Sequence, residues 1–193
     1  MTRPMQRTIQ TPRGPIIIRT TTIADAPALR DLRLEALRTV SFAFGSSFEE
    51  ESQFPDDEWQ RRAARGDGSG PQATYVLVDP AEPSKLVGIT GISRGTRLKD
   101  KHSATIWSVY VRPAWRGLRL SDALIESCVS WAAERGVKIA RLSVTTTNMP
   151  ARVCYERCGF VITGIEPALI YCDGKYYDEH IMSRLLDPAL KSG

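Results

Sequence analysis

Histidine is scarce, limited to His102 and His180, and no apolar run approaches the roughly 18 residues that a membrane-crossing helix requires. No membrane partner is therefore expected. Cysteine is limited to Cys128, Cys154, Cys158 and Cys172. Cys154 and Cys158 could sit one helical turn apart, but no second ligand pair has metal-site spacing. No metal is expected, and the thiols read as reduced and mostly buried. Residues 1–15 are polar, rich in Arg, Thr and Pro, and lack the apolar segment of a signal peptide, so the expected location is the cytoplasm. Charge of one sign is also lacking. The 26 Lys and Arg against 22 Asp and Glu leave only +4. That is a weak lean toward anionic partners, and without a stacking-aromatic motif no nucleic acid is expected. The 193 residues fit one domain, and 42% apolar content is enough to bury a core.

The pattern along the chain predicts a loose arm over residues 1–15 and one domain over 16–188. A β-branched run over 16–22 reads as a strand. Asp25 and Pro27 open a helix carrying Leu29, Leu32, Leu34 and Leu37 that ends near Val40. Phe42, Phe44 and Phe48 surround Gly45, an acidic stretch follows, and residues 56–65 read as a helix before a Gly-rich loop. Strands are predicted over 74–78, 86–92 and 104–111. A long helix then spans 118–135, with Leu120, Leu124, Cys128 and Ala132 on one stripe and Gly136 as its stop. A strand over 139–145 leads to a short helix capped by Asn148, with Pro150 in its first turn and Gly159 past its end. Strands over 160–165 and 176–186, joined through Asp173-Gly174, close the chain. This order describes an α/β fold, a mixed central sheet flanked by helices in a single domain.

Two segments carry chemistry. In the first, the strand ending Val109-Tyr110-Val111 runs through Arg112, Arg116, Gly117, Leu118, Arg119, Leu120 and Ser121 into the long helix. A basic glycine-containing loop at a helix start presents free N–H groups where the dipole favours an anion, which suits a phosphate or pyrophosphate. The same segment also reads as a plain turn with solvated arginines. In the second, Asn148, Ala151, Tyr155, Gly159 and Phe160 mark a capped helix followed by a strand. There Asn148 reads equally as a simple cap, and Tyr155 as a core aromatic with a wet hydroxyl.

Taken together and in this order, the two segments resemble the GNAT superfamily of N-acetyltransferases, most clearly from Ala104 to Leu186. The resemblance implies a GNAT-like fold and acetyl-CoA as cosubstrate, with a small-molecule amine, or a protein or peptide amine, as acceptor. A homodimer is compatible with it. The loop from Arg116 to Ser121 would hold the pyrophosphate, although Arg119 and Ser121 stand where the family carries glycine or a small residue. The backbone of Val109, Tyr110 and Val111 would pair with the pantetheine arm. Asn148 and Arg152 would bind the cosubstrate, and Tyr155 would serve the departing thiolate as general acid. Thr105 occupies the position of a carboxylate that takes the amine's proton in some members. His102, Glu49, Glu50 and Glu179 are the substitutes within the chain, and none stands out. Phe42, Phe44 and Trp107, together with the hairpin around Asp173, are candidates for the acceptor pocket, and each also reads as ordinary packing. The rival expectation is a GNAT-like module that binds acyl-CoA without catalysis.

Overall fold

The computed structural model describes residues 6–191. Its strands are β1 (Arg7–Thr11), β2 (Gly14–Thr20), β3 (Gln72–Val78), β4 (Leu86–Arg94), β5 (Ser103–Val111), β6 (Ile139–Thr145), β7 (Val161–Cys172) and β8 (Lys175–Leu185). They form one eight-stranded sheet in the order β1-β2-β3-β4-β5-β6-β8-β7. Every pairing is antiparallel except that of β5 with β6. Helices α1 (Ala26–Thr39), α2 (Phe48–Ser52), α3 (Asp56–Arg65), α4 (Leu120–Glu134) and α5 (Met149–Arg157) flank it. None of the described helices is long and apolar enough to cross a membrane.

Strand β3 shows why both faces are covered. Its residues from Ala73 onward are buried on both sides: Ala73, Tyr75 and Leu77 join a core with α4, whereas Val76 and Val78 join a second core with α1 and α3. Helix α1 faces that second core through Leu29, Leu32 and Ala36, the spacing of a helical stripe. Helix α4 buries the predicted stripe of Leu120, Leu124, Cys128 and Ala132. It starts later than residue 118, because Arg119 adopts a left-handed backbone (φ 55°) and serves as the N-cap.

Two expectations fail locally. The supposed arm is ordered from Arg7: β1 pairs with β2 through a Pro12-Arg13 turn, with Gly14 at φ 109°. The hairpin is pinned by Arg7, which donates to the Ala123 carbonyl at 2.7 Å, and by Arg13 lying over the Trp115 ring at 4.8 Å. Residues 1–5 lie outside the described residues. Strand β7 continues well past residue 165. Pro167 is tolerated because β7 is an edge strand, and the register shifts there between Glu166 and Ile170. Ala168 takes a left-handed φ of 53° and donates its N–H to Asp178 at 2.8 Å.

The parallel junction matters most for the site. Strands β5 and β6 pair only through Ser103–Thr105 and Ile139–Arg141. Beyond this point β6 keeps its pairing with β8, while β5 follows β4. A bulge opposite Thr90, with Ser108 at φ 56°, bends β5 at the place where it leaves β6.

Candidate active site

Among the described residues, one edge of β5 has no strand beside it from Ile106 to Val111. Its backbone groups on that side are free to pair with an extended guest. Two cavities meet this stretch, and Ala43 and Phe44 line both.

The first cavity, about 640 Å³, reaches from Val109, Tyr110 and Val111 to the start of α4. Arg116, Gly117, Arg119, Leu120 and Ser121 line it, as do Asn148 and Tyr155. Thus the structure brings together all the sequence-predicted binding residues except two. Leu118 packs on the core instead, and Arg152 pairs with Glu156 along α5 at 3.3 Å. Gly117 has φ 80° and Arg119 φ 55°, so the loop turns through two left-handed residues. An arginine therefore adopts the conformation that glycine would take most cheaply. Arg116 donates from Nε to the Val111 carbonyl at 3.0 Å, tying the loop to the end of β5. Arg112 does not join this group. Its guanidinium ion-pairs with Asp31 at 2.5 Å and with Glu35, and it donates to the Leu86 carbonyl, all away from the loop. The proline after it starts a tight turn that sends Arg112 toward α1.

Asn148 caps α5, its side-chain oxygen accepting from the Ala151 N–H at 3.4 Å. Two turns on from this cap, Tyr155 is buried, and its hydroxyl has no hydrogen-bond partner among the described residues. Burial above all, then the neighbouring Cys154, Glu179 and Cys158, push this phenol far above its ordinary range. Cys154 donates to Asp122 at 3.2 Å, and Asp122 in turn accepts from Arg157 at 2.7 and 3.0 Å. A hydrogen bond with Cys158, burial and the Asp122 carboxylate together push the Cys154 thiol strongly upward. The donor atoms of Asp122, Cys154 and Cys158 lie within 4.8 Å of one another, a meeting that sequence spacing did not show.

The second cavity, about 790 Å³, lies between β5, α1, α3 and the β7–β8 hairpin. Trp107 and Phe44 line it, while Phe42 lines the first cavity and stacks on Tyr177 at 5.6 Å. Leu169, Ile170 and Glu179 bring the closing hairpin to its wall, and Thr105 is also exposed to it. Of the other base candidates, Glu50 is spent on capping α2 through the Ser47 N–H, Glu49 lies on a separate outer cleft, and His102 is exposed in the β4–β5 loop.

Sequence reasoning missed the buried ion-pair cluster in this wall. Arg33, on the apolar stripe of α1, donates to Glu51 from Nη2 at 2.8 Å and from Nε at 3.1 and 3.2 Å. It also reaches Ser46 and Ser108, each at 3.0 Å, and lies over the Phe44 ring at 4.7 Å. Arg62 donates to the other Glu51 oxygen at 2.8 Å. Burial alone would raise Glu51, but the Arg33 hydrogen bonds and charge outweigh it and hold the carboxyl below its ordinary value. The available signal was a charged residue at a core position of the 29-32-33-36 stripe.

Comparison with known proteins places this geometry in context. The sequence model of the Acetyltransferase (GNAT) family matches residues 29–160. A streptothricin acetyltransferase of Escherichia coli is 36% identical over 63 residues, which are 33% of this chain and 36% of that protein. The chain thus spans about a third to a half of the length of the curated relatives it matches. Among solved structures, a GNAT-family acetyltransferase from Streptococcus pneumoniae superposes with TM-score 0.77 at 23% identity, covering 89% of this chain and 99% of its own. The protein yncA of Salmonella typhimurium, solved with its cofactor acetyl-CoA, superposes with TM-score 0.75 at 19% identity, covering 89% and 94%. At these identities the structural likeness shows the fold.

Proposed function

Because this chain belongs to the GNAT family of acetyltransferases, we propose that it moves the acetyl group of acetyl-CoA directly to an amine of a small molecule, in the cytoplasm and without a covalent enzyme intermediate. One observation carries this reading. The unpaired edge of β5 runs into a cavity that has an anion-suited loop and helix start at one end and the free hydroxyl of buried Tyr155 on its wall.

The residues present fit acetyl-CoA. The loop from Arg116 to Ser121 and the first turn of α4 offer free N–H groups, the helix dipole and two arginines to a pyrophosphate. Val109, Tyr110 and Val111 offer a strand edge to an extended arm, and one N–H there can polarise the acetyl carbonyl. Asn148 sits beside the same cavity at the start of α5. Tyr155 serves the leaving sulfur. A free tyrosine titrates near 10 and a thiol near 8.5, so full proton transfer is uphill by about 2 kcal/mol before burial is counted. Burial increases that gap, which makes the contribution of Tyr155 a hydrogen bond to the developing thiolate. The acceptor has a separate cost: freeing the lone pair of a primary amine at pH 7 takes about 4.6 kcal/mol, and Thr105 cannot take that proton. The high-lying Cys154 thiol argues against Cys154 as a nucleophile.

A thiol-release screen with acetyl-CoA and a panel of amines tests the reading. Release with at least one amine is expected, and Tyr155→Phe should lower kcat about 10-fold or more while CoA affinity, measured by calorimetry, stays within about 3-fold. CoA binding with no thiol release from any amine would instead leave a non-catalytic acyl-CoA-binding module.

A further inference from the structure

The larger cavity holds six charged side chains whose pairings are unequal. Arg33 and Arg62 converge on Glu51, and Arg61 and Arg62 bind Glu58 at 2.8 and 3.0 Å, with Arg65 4.0 Å from it. Each of these groups has a counter-charge. Glu179 has none. It is only 6% exposed, lies on β8 between Thr145 of β6 and Glu166 of β7, and lines the cavity. Among the described residues no ion pair or side-chain hydrogen bond reaches its carboxylate. A carboxylate withdrawn from water without a partner is expensive to keep, whereas one that opens onto a cavity can be compensated by a cationic guest. Glu179 also lies near enough to Tyr155 for its charge to act on that hydroxyl.

We propose that Glu179 is the ammonium seat of the acceptor site, and that the acceptor is a small aliphatic amine that enters protonated. This rests on the acetyl-transfer reading above. The observation behind it is separate from the cosubstrate site: an unpartnered, nearly buried carboxylate in a cavity where each other charged side chain has an ion-pair partner. Trp107 and Phe44 on the same wall offer apolar surface to the amine's carbon skeleton, with the ammonium directed toward β8. Because the seat acts by charge, it should discriminate by protonation state more than by shape.

Benzylamine, protonated at neutral pH, and aniline, uncharged there, form a test pair of similar shape. Each is titrated by calorimetry into protein already loaded with CoA, which allows binding to be read without transfer. Benzylamine should bind the native protein, and Glu179→Gln should weaken it about 10- to 100-fold, the range of a lost charge-assisted hydrogen bond. Aniline should change by less than about 3-fold, and Glu179→Asp should recover part of the benzylamine affinity. In the thiol-release assay, with whichever aliphatic amine is turned over, the loss in Glu179→Gln should fall mainly on KM. CoA affinity and thermal midpoint of each variant show that the fold is intact. Equal losses for both ligands, no loss for benzylamine, or a native protein that binds aniline but no aliphatic amine would overturn the seat. Absence of thiol release with every amine, while benzylamine binding still depends on Glu179, would overturn the transfer reading and leave the seat standing.

Discussion

Glu51→Gln gives the sharpest physical test of how the wall of the larger cavity is held. The carboxylate side chain is 3% exposed and accepts from two arginines, one of which, Arg33, is itself 10% exposed. Replacing the acid with its amide leaves the Arg33 guanidinium charged and out of water without a counter-charge at position 51, facing a neutral amide oxygen, two serine hydroxyls and the face of Phe44. Removing one partner of a buried pair costs about 3–5 kcal/mol. The pair borders a cavity open to water, so the lower end, about 3 kcal/mol, is expected here. At about 2–4 °C per kcal/mol for a chain of this size, the midpoint should fall by roughly 6–12 °C at pH 7. The pH dependence follows from the direction of the shift. The folded carboxyl titrates below its unfolded value. Its stabilisation is therefore complete above the unfolded value, about 4.3, and is lost as pH falls through the lower folded value. Denaturant melts of both proteins at pH 7 and near pH 3 should show a gap that closes in acid. A gap below about 1 kcal/mol at pH 7, or one undiminished near pH 3, would refute the reasoning.

Two further substitutions probe the loop and the bulge. Arg119→Gly should leave stability equal or raise it by about 1 kcal/mol, since glycine takes φ 55° without strain, yet weaken CoA about 3- to 10-fold by removing a cation. Unchanged affinity in calorimetry would take Arg119 out of the anion site. Gly91→Ala would place a Cβ 2.4 Å from the Trp107 ring. The ring must swing, so Trp fluorescence should shift, stability should fall by about 1–3 kcal/mol and acceptor KM should rise, whereas an unchanged spectrum would show that the contact is looser than described.

Much of this architecture was legible because it depends on local pattern. The helix over 56–65 and the strand over 139–145 have the observed limits, and Asn148 and Gly159 mark the ends of α5 as expected. The loop and the Asn-to-Tyr helix were legible as two segments, and folding supplies the cavity that Gly117 and Tyr155 share. What escaped depends on distant partners. The hairpin of β1 and β2 is pinned by Ala123 and Trp115, more than a hundred residues away, and its Pro and Arg content mimics a loose tail. Arg112 reads as one of three loop cations until α1 supplies Asp31 and Glu35 to claim it. Arg33 reads as an interruption in an apolar stripe until Glu51 and Ser108 explain it. Glu179 was one carboxylate among several, and only its isolation in the folded chain sets it apart.

The two cavities draw on largely separate stretches of polypeptide: α4, α5 and the tip of β5 for one, and α1, α3 and the closing hairpin for the other. Under the proposed acetyl-transfer reading, divergence in the second set can retune which nucleophile is accepted while the grip on the acyl carrier stays constant. A lineage built on this plan can therefore explore new chemistries of recognition one wall at a time, with the shared central strand as its invariant reference.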